Sequence, residues 1–136
     1  MQIEVYNGTR QRVPQLLLKR AGDVVGKKMR AGGCDISVAF IGERRMRTLN
    51  RIYRGKDAVT DVLSFVEAGE RRRAGEVVLC YQQIKRQAKR QGTSVQTELV
   101  FIFVHGLLHV LGYDDATTAG WREMERLGTA LCKSIV

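Results

Sequence analysis

The sequence predicts an α+β fold, a single domain in which a small mixed four-stranded β-sheet is covered by about five helices. Three observations predict it. Apolar strand-like runs alternate with amphipathic helical patterns through the first half of the chain, and helical patterns cluster in the second half. One of the late helices, within residues 94–112, is apolar nearly all round and so must be a central helix buried among other elements. At 136 residues the chain has the length of one ordinary domain and can bury a core without disulfide or metal staples.

Taken in order, "IEVYN" at 3–7 alternates as a half-buried strand does, and the only proline, Pro14, stands where a first helix can begin. The following stretch places Leu17, Leu18, Val24, Val25 and Met29 at near-helical spacing, with Gly32-Gly33 as its expected stop. "CDISVAFIG" at 34–42 is rich in β-branched and aromatic residues and reads as a second strand. "ERRMRTLNRIYRG" then puts Met46, Leu49, Ile52 and Tyr53 on one helical face ended by Gly55. "TDVLSFVEA" and "GEVVLCY" give strands three and four, joined by the Gly-bounded basic loop "GERRRAG". A polar helix follows from Gln82 to Gln91, with Lys85 and Lys89, and Arg86 and Arg90, in i,i+4 pairs that crowd cations onto one side. A last helix from about Thr118 places Trp121, Met124, Leu127 and Leu131 on one face, where they should close the core.

Lys and Arg outnumber Asp and Glu by 23 to 14, a net charge of +9, and an excess of this size favours contact with polyanions, nucleic acid first among them. A merely solvated basic surface would show the same charge. No apolar run approaches the length of a membrane span, so a soluble protein is expected. Cys34, Cys80 and Cys132 are odd in number and far apart, which suggests neither a disulfide framework nor a zinc knuckle. The opening residues lack the basic-then-apolar pattern of a secretory signal, and a cytoplasmic location is expected.

The chemistry concentrates in "HGLLHVLGYDD" at 105–115, which holds both histidines of the chain. Four residues is about one helical turn, so His105 and His109 project from the same face and can put two imidazole nitrogens on one ion. Gly112 can take the left-handed conformation that ends a helix and turns the chain back, bringing Asp115 to the same ion. Asp114 is a second candidate. Two histidines and a carboxylate make a sound zinc-binding set with a fourth position open. The layout HxxxHxxGxxD is close to that of the metzincin proteases, but Gly106 stands where those enzymes carry a glutamate base. The alternative, two histidines merely buried and hydrogen-bonded, is weakened by the cost of placing both in hydrocarbon without a partner.

Three stretches resemble the YbeY family of rRNA maturation factors, proposed metal-containing single-strand endoribonucleases. "LNRIYRGKDAVTDVLSF" at 49–65 is similar to the family's N-x-x-Y-R-x-x-D-x-x-T-D-V-L-S-F, "GEVVLC" to its G-D-I-V-I-C, and "HGLLHVLGYDD" to its H-G-x-L-H-L-x-G-Y-D-H. The order and spacing also agree from Asn50 onward. The resemblance implies His105 and His109 as metal ligands, with the third family histidine replaced by Asp115, and one zinc ion per chain. It implies Arg54 as the functional arginine, so that Arg54, His105 and His109 form the catalytic set. The family's aspartate in the G-D-I-V-I segment is Glu76 here. The implied role is a metal-dependent endoribonuclease in 16S rRNA 3′-end maturation, ribosome assembly and ribosome quality control. Its partners would be rRNA and the ribosomal subunit, with ribosomal proteins or an assembly GTPase beside them, and the protein would act as a monomer away from membranes.

In this reading the metal polarises a phosphoryl oxygen or activates water, and the guanidinium fork of Arg54 meets the charge gathering on the phosphate. Arginine at a helix end would otherwise serve only the helix dipole. Thr60, Asp61 and Ser64 could line a cleft or cap backbone groups. Arg71, Arg72 and Arg73, with Lys85 and Lys89, are candidate contacts to RNA backbone and would not read sequence. Two rival functions are a non-catalytic ribosome assembly factor that keeps the metal for structure and, less favoured for want of the glutamate, a metalloprotease.

Overall fold

A computed structural model of the chain describes residues 1–67 and 74–136. The order of elements is β1 (Gln2–Asn7), α1 (Gln15–Lys28), β2 (Asp35–Phe40), α2 (Glu43–Arg54), β3 (Val62–Glu67), β4 (Ala74–Leu79), α3 (Tyr81–Gln91), α4 (Val95–Val110) and α5 (Thr118–Lys133). The strands form one mixed sheet in the order β1-β2-β4-β3. β1, β2 and β4 run parallel, and β3 pairs antiparallel with β4 as an edge strand, Val62 opposite Leu79 and Glu67 opposite Ala74. This is the α+β architecture that the alternating patterns predict. The basic triplet Arg71, Arg72 and Arg73 lies outside the described residues.

Because alternate strand residues face opposite ways, the sheet buries two apolar faces. On one, Val38, Phe40, Val77 and Leu79 pack with Leu18 and Val25 of α1 and with Leu99, Phe103 and Leu107 of α4. On the other, Leu63 and Val78 meet Met46 of α2 together with Ile41 and Cys80. α3 and α5 flank α4, so the all-apolar helix is enclosed as its composition requires. No single helix among the described residues is long and apolar enough to cross a membrane.

α4 lies unusually close to the sheet, and glycines permit it. A Cβ on Gly106 would stand 3.0 Å from Val77 Cγ1 and 3.2 Å from Ser64 Oγ, and one on Gly75 only 2.6 Å from Val110 Cγ1. The Ser64 hydroxyl donates to the Gly106 carbonyl at 3.0 Å, tying β3 to the middle of the helix. The place of the metzincin glutamate is therefore pressed against β3 and β4.

Three local expectations change. α1 stops before the Gly-Gly pair, because Arg30 takes the left-handed turn (φ 52°) and the Ala31 N–H caps the Gly26 carbonyl at 2.8 Å. On α2, Met46 and Asn50 are buried and Leu49 partly so, but Ile52 and Tyr53 in the last turn are largely exposed, Tyr53 meeting the edge strand through the Phe65 ring. On α5, Met124 and Leu131 are buried while Trp121, in the first turn, is exposed and does not help close the core.

Candidate metal centre

The last turn of α4 and the turn after it build the site. Leu111 caps the helix, Gly112 follows at φ 101°, and the Gly112 and Tyr113 N–H groups donate to the carbonyls of His109 and Leu108, each at 3.0 Å. This paired capping motif reverses the chain so that Tyr113 and Asp115 return over the helix end. The returning Tyr113 carbonyl lies 3.1 Å from His109 Nδ1 and accepts its proton, which leaves the Nε2 lone pair of His109 free to face the cleft.

There His109 Nε2 stands 3.1 Å from His105 Nε2, and Asp115 Oδ2 lies 3.5 Å from each of them. A tetrahedral zinc with bonds near 2.0–2.2 Å spaces its ligand atoms about 3.3 Å apart, so three donors already mark one face of such a tetrahedron. Among the described residues this is the His, Cys, Asp or Glu group whose ligand atoms can hold a metal ion. The donor set fits zinc in kind as well as in spacing, and all three residues line a cleft. Asp114 is occupied otherwise, its Oδ1 accepting the Ala116 N–H at 3.0 Å.

The imidazoles are not sunk in hydrocarbon as the apolar helix suggests; their side chains keep 28% and 29% of their surface in solvent, at the floor of the cleft. Partial burial nonetheless pushes the His105 imidazole below its ordinary pKa, and His109 adds to this, while Asp115 and Asp61 oppose it. The result favours the neutral ring, the form that ligates a metal.

A cleft of about 660 Å³ opens from this triad along the edge strand β3, and its lining includes Arg54, Tyr53, Asp61, Ser64, Phe65 and Phe101. Arg54 and the three donors, far apart in sequence, thus share one cavity. The motif around Arg54 supplies the scaffold. Asn50 is buried, and its Nδ2 donates to the Ala58 carbonyl at 2.9 Å, while Arg47 grips Asp57 with two bonds of 2.8 and 3.1 Å. Both hold the loop that follows Arg54. Asp61 accepts a bond of 3.0 Å from the Gln87 side chain, which anchors it to α3 in the cleft wall. Neither Asn50 nor Gln87 stands out by residue type; only their burial and bonds reveal them.

Lys85 and Lys89 lie on the exposed face of α3 and are not part of the cleft lining; the Lys85 ammonium sits 4.7 Å from the centre of the Tyr81 ring. Arg86 pairs with Glu43. Glu76 is exposed on β4, outside the lining of the cleft.

Two histidines and a carboxylate in a cleft that also holds an arginine are a donor set that could hold a metal ion beside a phosphate-binding group. Comparison with known proteins gives the family. Endoribonuclease YbeY matches residues 3–136. The Endoribonuclease YbeY of Aromatoleum aromaticum is 38% identical over 104 residues, covering 76% of this chain and 68% of its own length. That of Ureaplasma urealyticum serovar 10 is 49% identical over 78 residues, 55% of this chain and 50% of its own. That of Geobacillus kaustophilus is 43% identical over 104 residues, 68% of this chain and 67% of its own. The solution structure of TM1509 from Thermotoga maritima shares the fold at a TM-score of 0.70 and 25% identity, over 98% of this chain and 89% of that one. The chain belongs to the YbeY endoribonuclease family, a family of RNA-cleaving hydrolases.

Proposed function

We propose that this chain is a zinc-dependent, single-strand endoribonuclease that acts in the cytoplasm on ribosomal RNA, in 16S 3′-end maturation, subunit assembly and ribosome quality control. The observation that carries the proposal is the convergence of His105, His109 and Asp115 on one point, with Arg54 in the same cleft. When bound, zinc would supply Lewis acidity toward a phosphoryl oxygen and acidify a water. The chain's own residues do the rest. Tyr113 holds the His109 ring in its ligating tautomer, and Arg54 offers a planar fork to the phosphate oxygens as negative charge grows on them. The net charge of +9 favours encounter of the protein with RNA.

A metal kept only for structure is disfavoured, because both apolar clusters are complete without the triad. A protease is disfavoured as well, since a side chain at position 106 would meet Val77 and Ser64. The test is metal analysis beside single-stranded RNA cleavage for the wild type, Asp115→His and Asp115→Ala. Histidine should keep metal and activity, and alanine should lower both. Equal metal in all three would remove Asp115 from the ligand set, and cleavage by fully metal-stripped protein would sink the metal mechanism.

A further inference from the structure

The cleft holds more than the charged groups that would act on a phosphate. Phe101, His105 and His109 follow one another at intervals of four on α4, so an aromatic ring and both imidazoles share one helical stripe facing the same opening. Phe101 is 36% exposed. Across the cleft at the end of α2, Tyr53 is 62% exposed and lies edge-on to Phe65, with ring centres 5.0 Å apart and planes inclined by 71°. One exposed aromatic on a surface means nothing. Two that line the same charged cleft, one of them packed edge-on against a third ring and next in sequence to Arg54, make an apolar platform where a polyanion would bind.

The occupant must combine a flat apolar face with a phosphate, and a nucleotide does so. Resting on the RNA-cleaving function proposed above, we infer that Tyr53 and Phe101 stack an unpaired nucleobase of the nucleotide whose phosphate lies at Arg54 and the triad. Bases inside a duplex are stacked on one another and cannot enter such a site, so this contact is what selects unpaired RNA. Stacking tolerates every base, so the platform senses pairing rather than sequence.

The experiment measures binding of the full, zinc-loaded chain to a short fluorescent RNA strand made resistant to cleavage, and to a set of the same strands each with one abasic position. Wild type should lose roughly tenfold in affinity at one abasic position, the usual scale for one stacked base. Tyr53→Ala and Phe101→Ala should bind the unmodified strand roughly tenfold more weakly and feel no further loss at that position. Tyr53→Phe should behave as wild type, and zinc content should be equal in all of them. Variants that bind the unmodified strand as wild type does, or that keep the full abasic penalty, overturn the stacking site. Wild type that binds and cleaves RNA yet ignores every abasic position overturns the stacking site alone. Wild type that binds no strand overturns the RNA function with it.

Discussion

Gly112 is the residue on which the metal centre turns, and Gly112→Ala tests that statement. At φ 101° the position lies where a Cβ is strained, and holding alanine there costs about 1–3 kcal/mol. Two responses are open to the variant. If the turn keeps its shape, the strain appears in stability, and a loss of about 1–3 kcal/mol corresponds to roughly 3–10 °C in Tm for a domain of this size. If the turn relaxes, Tyr113 no longer holds His109 Nδ1 at 3.1 Å and Asp115 moves away from the two Nε2 atoms. Losing such an orienting contact costs about 10–100-fold in metal affinity. Urea unfolding of the metal-free protein reads the first response, and zinc competition against a chelating indicator reads the second. Asparagine, which visits the left-handed region more readily, should do less harm than alanine in both. A Gly112→Ala protein with wild-type stability and wild-type zinc affinity would refute the role given to the turn.

Other outcomes follow from the same structure. Arg54→Ala should leave zinc content intact and lower RNA cleavage by about 100-fold, the usual effect of removing one charge-stabilising donor, with Arg54→Lys intermediate; a loss of zinc in either variant would show that Arg54 supports the fold of the site instead. Glu98 is buried on α4, and burial raises its pKa above 4.5, with Asp61 adding to the rise and the Gln87 amide opposing it. A raised folded-state pKa means that its contribution to stability is present in acid and is lost as the pH rises through the shifted value. Glu98→Gln should therefore raise Tm at pH 7, with the gain fading toward pH 4, and thermal melts showing no gain at pH 7 would contradict the assignment.

The periodic elements were legible because burial imposes periodicity. The mixed sheet, the enclosed α4 and the reversal at Gly112 all follow from apolar spacing and from what glycine alone permits. The convergence of His105, His109 and Asp115 was legible for a similar reason, since i,i+4 histidines and a turn of fixed length leave few geometries. Trp121 was misplaced because helical spacing says which residues share a face, not how far the neighbouring element extends to cover it, and the same limit leaves the exposure of Ile52 and Tyr53 unread. The Asn50, Arg47–Asp57 and Gln87–Asp61 contacts were invisible for another reason: polar residues are solvated by default, and only the tertiary fold shows which hold a loop.

Asp115 sits at an electrostatically awkward place, and that is informative. The C-terminus of α4 carries the negative end of the helix dipole, Asp115 is drawn back over it, and Asp61 lines the same cleft. In a chain of net charge +9 these two carboxylates share the cleft with Arg54, and nothing in the apolar packing requires them there. A cation held by His105, His109 and Asp115 would neutralise the Asp115 carboxylate. With a metal bound, the same carboxylate would take one unit of positive charge from what a phosphate meets and would leave a bound water less acidic. The attraction of a phosphate would then fall more heavily on Arg54, so exchanging Asp115 for histidine and removing Arg54 should act on one quantity from opposite directions.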